Sequence, residues 1–101
     1  MVKQYLFKIK EGKLQQWKDW CDYLIAHADE VRATMLYEQS NREMFTLFTF
    51  DGIHMVVGHG EFFNDPVQAD MTVLLNIEHR RNLRECLERV GSAEILYDLR
   101  A

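Results

Sequence analysis

Between Val2 and Ile9, Tyr5, Phe7 and Ile9 alternate with Val2, Leu6 and Lys8. A period of two predicts a strand, and Glu11-Gly12 ends it. From Lys13 the period changes. Leu14, Trp17, Cys21, Leu24, Ala28, Val31 and Met35 recur at steps of three and four, one apolar stripe along a helix. Lys18, Asp19, Asp22, Asp29, Glu30 and Arg32 fall mostly off that stripe, on a solvated face. Ser40 and Asn41 are turn formers, so the helix is expected to end between Thr34 and Gln39. Met44 to Phe50 and Ile53 to Phe62 read as strands joined by Asp51-Gly52, a hairpin turn. Asn64-Asp65-Pro66 predicts a helix start with Asp65 as cap, and Asn76 offers a second cap ahead of Ile77, Leu83, Cys86, Leu87 and Val90. Gly91-Ser92 closes that region, and Ala93 to Leu99 alternates again as a last strand.

The order β-α-β-β-α-β predicts an α+β, ferredoxin-like fold, a four-stranded antiparallel sheet with helices on one face. The 101 residues suit a single domain, 1–101. In the hairpin, Phe45 and Leu47 point opposite to Met44, Phe48 and Phe50, and Val56 opposes Ile53, Met55 and Val57, so both sheet faces carry large apolar side chains. Helices cover one face. Leaving the other in water costs roughly 25 cal/mol per Å², which predicts a homodimer through the sheet face. Lysine at Leu47 or Phe48 probes opposite faces, one change expected to unfold the chain and the other to part the dimer.

Composition narrows the partners. Twelve basic against sixteen acidic residues leave a net charge of −4 and no basic stripe for phosphates, so no nucleic acid is expected. No apolar run approaches the roughly 20 residues of a spanning helix, and no leader pattern opens the chain, so no membrane is expected. Two cysteines, Cys21 and Cys86, are too few for a disulfide scaffold and point to the reducing cytoplasm.

Phe7-Lys8-Ile9-Lys10-Glu11-Gly12-Lys13 with Trp17 following, Leu36-Tyr37-Glu38 with Glu43-Met44-Phe45 after it, and Glu78-His79-Arg80 together resemble the small bacterial family of uncharacterised proteins DUF6176. That family lies within the dimeric α+β barrel superfamily, and the resemblance runs from about Val2 to Val90. The family pattern has a Gly after the first of the two glutamates, where this chain has Gln39-Ser40. It also has a His-Pro approach to the last helix, where this chain has Leu74-Leu75-Asn76. The resemblance implies a fold and a dimer; it carries no activity.

Among candidate chemical groups, Glu38 and Glu43 flank the turn after the first helix and match the family pattern. Converging with His79, they would form an acid/base set, one carboxylate pKa raised by the other charge. The competing reading pairs them with Arg42, Arg80 or Arg81. His79 is also where some barrel relatives hold haem, but no other residue supports that, and no cofactor is expected. His59 and Glu61, two apart on a strand, share a face as a candidate ligand-binding pair. No H-E-x-x-H or C-x-x-C spacing occurs, so no metal site is expected. His54 falls on the opposite strand face. Trp17, Trp20, Tyr23 and His27 on the first helix either line a ligand pocket against the sheet or belong to the core. Cys21 and Cys86 sit on apolar stripes without an activating base. These residues support two functions: a non-catalytic small-molecule-binding or regulatory module, or, from the barrel relatives, a cofactor-independent monooxygenase-like or isomerase-like enzyme.

Overall fold

A computed structural model, describing residues 1–101, places strand β1 at Val2–Ile9, where the alternation predicts it. The long apolar stripe forms two helices, α1 at Leu14–Ala26 and α2 at Ala28–Tyr37, rather than one. The break is at His27. Its Nδ1–H donates to the Tyr23 carbonyl at 2.9 Å, alongside its own backbone N–H at 3.0 Å, which is shared with the Leu24 carbonyl at 3.2 Å as the first helix ends. The stripe continues across the break because Leu24 and Val31 still pack on one core. Gln39 ends α2 in the left-handed region, φ 68°, at the place where the family pattern has Gly.

Strands β2 (Ser40–Phe50) and β3 (Ile53–Phe62) form the expected hairpin. Asp51 and Gly52 both have positive φ, the signature of the turn that matches strand twist. The last helix, α3, runs from Leu74 to Cys86, and strand β4, Leu87–Ser92, follows without a loop.

Three expectations are corrected here. No helix starts at Asp65, because backbone donors nearby are used elsewhere: the Phe63 N–H bonds the Gln39 carbonyl and the Val67 N–H bonds the Glu38 carbonyl. Asn76 is not a cap; it lies inside α3, buried, with its amide donating to the Asp70 carbonyl. The last strand is Leu87–Ser92 and not Ala93 to Leu99, since Leu87 pairs with Ile9 and Glu88 with Lys8. Ile95, Leu96, Tyr97 and Leu99 remain exposed in a tail without regular structure.

All strand pairs are antiparallel, in the order β2-β3-β1-β4. Strands β1 and β2 are therefore parallel with β3 between them, joined through α1 and α2; β3 and β4 are parallel with β1 between them, joined through α3. Register puts Phe7, Val56 and Leu47 in one row and Tyr5, Gly58 and Phe45 in the next, on one face. That face meets the helices: Ile9, Val56, Trp17, Trp20, Leu75, Cys86 and Leu87 form the core, with Phe7 and Phe45 against it. The reverse face carries Leu6, Val57, Met55, Phe48, Phe50 and Ile53, and no helix covers it.

Cys86 is fully buried and Cys21 partly so, both thiols free. Burial pushes both thiol pKa values up, which leaves little reactive thiolate. Native labelling by a maleimide is expected to be slow and to reach completion only on denaturation. Prompt native reaction of Cys86 would show that the α3–β4 junction opens.

Candidate functional site

The sheet's helix face is hollow where β3 places Gly58 and Gly60. A Cβ on Gly58 would lie 3.2 Å from both the Phe7 and Phe45 rings, and one on Gly60 would lie 3.0 Å from the Phe62 ring. The glycines admit these rings close over β3, and rings and glycines together border a cavity of about 350 Å³, within the range of small-molecule sites. Leu24, Val31, Leu75 and Leu83 from the helices form its apolar walls. The glycine pair escaped the sequence reading; the signal was Gly-His-Gly inside a strand, where glycine ordinarily weakens pairing unless space is needed.

Glu38, Glu43 and His79 line this one cavity. Glu38 comes from the end of α2, Glu43 from the helix face of β2 opposite Gly60, and His79 from the second turn of α3. Neither carboxylate forms an ion pair with the arginines of the competing reading: Arg42 bonds Glu61, Arg81 bonds Glu78 and Glu85, and Arg80 lines the same cavity, as does Lys3, without pairing. Burial raises the Glu38 pKa first, and the charge of Glu43 raises it further. Glu43 is exposed as a whole residue, yet its carboxyl end is poorly hydrated at the cavity, and this raises its pKa as well.

His79 is held in one tautomer. The Trp20 indole N–H donates to its Nδ1 at 2.9 Å. An indole nitrogen only donates, so Nδ1 is bare and the neutral ring carries its hydrogen on Nε2. Burial lowers the pKa to about 4, which keeps the ring neutral at physiological pH. No fully buried side-chain nitrogen or oxygen lacks a partner, so the Nε2–H, unbonded within the chain, opens on accessible space at the cavity. Strong desolvation without pairing is costly and is characteristic of functional sites.

The remaining candidates are dispersed. Trp17, 3% exposed, is core, its ring centroid 5.6 Å from that of Phe45. Trp20 serves the site through His79 rather than by lining the cavity. Tyr23 stacks between Trp20 and His27, at 5.1 and 3.9 Å, and neither Tyr23 nor His27 lines the cavity, which corrects their expected place. His59 borders the cavity, but its ring is bonded on the reverse face: Gln4 Nε2–H donates to Nδ1 at 2.8 Å, and Nε2–H donates to Glu61 at 3.1 Å. That hydrogen bond, with Arg42 beside it, lowers the Glu61 pKa. The His59–Glu61 pair is thus separated from Glu38, Glu43 and His79 by the sheet. No group of three or more His, Cys, Asp or Glu side chains is placed to hold a metal ion. No helix is long and apolar enough to cross a membrane.

Fold and cavity together define a small α+β protein with a four-stranded antiparallel sheet, three helices, and a pocket whose ionisable groups are left unpaired. The chain belongs to the family described as "Family of unknown function (DUF6176)", whose model matches residues 1–100, tail included. No curated protein matches the chain.

Proposed function

We propose that this protein binds a small, largely apolar molecule in the helix–sheet cavity and acts as a homodimer through the reverse face of its sheet. The observation that carries the binding reading is the hollow itself. Apolar walls meet ionisable groups, Glu38, Glu43 and His79 among them and Lys3 and Arg80 beside them, and neither carboxylate forms an ion pair there. A ligand with a polar end would partner these groups while its apolar body fills the rest.

The interleaved crossovers and the order β2-β3-β1-β4 support a ferredoxin-like arrangement, and the uncovered apolar face supports the dimeric α+β barrel assembly of a bacterial, cytoplasmic protein. Phe48, Phe50, Met44 and Ile53 stay 39–70% exposed on that face in the single chain. A second copy would bury them sheet to sheet, by the same apolar burial that drives folding.

Titration with phenylacetone, a neutral aromatic ketone, tests the binding reading. Shifts of the Trp20 indole N–H and the His79 ring signals are expected. Absence of any shift at these residues would overturn the reading.

A further inference from the structure

Resting on the binding reading above, we propose that the cavity catalyses enolisation of a small apolar carbonyl compound, with the His79 Nε2–H bonding the carbonyl oxygen and the Glu38–Glu43 pair taking and returning the α-proton. The argument begins with Trp20. Its N–H occupies Nδ1 of His79, so the only hydrogen the ring can offer the cavity is on Nε2. That group is a neutral donor. It suits an uncharged acceptor such as a ketone or aldehyde oxygen, and it strengthens as negative charge develops there.

Glu38 and Glu43 come from different elements and line the same cavity as His79; burial raises both pKa values, and the charge of Glu43 raises that of Glu38 further. Neither makes a salt bridge or a side-chain hydrogen bond that would blunt its basicity. No hydrogen bond joins either of them to His79, and the cavity that all three line, about 350 Å³, is large enough for a small substrate. A carboxylate base and a neutral imidazole donor lining one cavity are a chemically sufficient set for this step.

The step balances without an added reagent. A carboxylate oxygen of the pair takes the proton from the carbon next to the carbonyl. The C–H bond breaks and its electron pair becomes the C=C bond of an enolate. The carbonyl oxygen gains the charge and accepts the His79 hydrogen bond, while the imidazole keeps its proton. Return of the proton from the carboxyl group to carbon restores the ketone; in D2O it returns as deuterium. Trp20 is a positioning residue, acting only through the tautomer it imposes.

The test is exchange of the α-hydrogens of phenylacetone in D2O, followed by proton NMR beside the binding titration. Wild-type protein is expected to accelerate exchange over equimolar acetate and imidazole, and Glu43→Gln to lower the rate on the order of 100-fold. Trp20→Phe is expected to lower it as well and to turn the nitrogen-15 spectrum of His79 from one tautomer into a mixture, which a purely structural role would not do. Ketone binding without accelerated exchange, or full exchange in Glu43→Gln, would overturn the inference and leave the binding reading intact. Failure of the ketone to shift Trp20 and His79 would overturn both.

Discussion

Val56→Lys is expected to yield no folded protein, and Phe48→Lys a folded chain at half the wild-type mass. The two positions lie on opposite faces of one hairpin. Val56 is 1% exposed, in the row of Phe7, beneath the helices. An ammonium there has no carboxylate to pair with, and the several kcal/mol this costs is a large part of a total stability of about 5–15 kcal/mol. Phe48 is 39% exposed on the uncovered face, beside Met55. Lysine at that position reaches water in a single chain but is buried and unpaired in the proposed dimer. Light scattering should give twice 12.0 kDa for wild type and 12.0 kDa for Phe48→Lys, with circular dichroism unchanged. A monomeric wild type would overturn the dimer reading. Leu47 shares the helix face but is 40% exposed on the outer strand β2, so Leu47→Lys destabilises far less than Val56→Lys, contrary to the expectation from alternation alone.

Acidification destabilises the fold through His79 by about 3 kcal/mol, the equivalent of its pKa displacement at 1.36 kcal/mol per unit. Its folded pKa, about 4, lies below the ordinary 6.5, so the unfolded chain takes up the proton first. Stability from this group is complete above 6.5 and is lost as the pH falls toward 4. Glu38 and Glu43 act with the opposite sign. Their folded pKa values are raised, so the native state takes up their protons first and gains stability as the pH falls through those values. Glu43→Gln removes one of these opposing contributions. Urea denaturation is expected to find this variant more stable than wild type near neutrality, with that advantage shrinking in acid and its acid loss steeper than wild type's. A Glu43→Gln variant whose stability stays level between those limits would show that His79 is not held neutral by burial.

Much of the architecture could be read from local pattern. Strand β1, the Asp51-Gly52 hairpin and the helical stripe from Leu14 to Met35 each express a period or a turn chemistry within a few residues, and short-range sterics suffice to select them. Two apolar sheet faces were equally legible, since alternation assigns each side chain a face without reference to any partner.

The C-terminal half depended on distant contacts. Leu87 to Val90 continues an apolar pattern that a helix or a strand would satisfy equally. The unpaired edge of β1 decided for a strand, the Lys10 N–H bonding the Cys86 carbonyl where helix gives way to sheet. Asp65-Pro66 had local cap chemistry, but backbone bonds to Glu38 and Gln39 around it belong to the junction of α2 and β2.

The candidate site divides in the same way. Residue type and motif order pointed to Glu38, Glu43 and His79, and 36 positions separate the second from the third. Their meeting required α2 to pack against both β2 and α3, and two glycines on β3 that let aromatic rings lie close over the strand at the cavity. Desolvation is a property of that packed arrangement. It shifts both carboxylates up and the imidazole down, and an amino-acid sequence specifies ionisable groups without specifying the dielectric in which they come to lie.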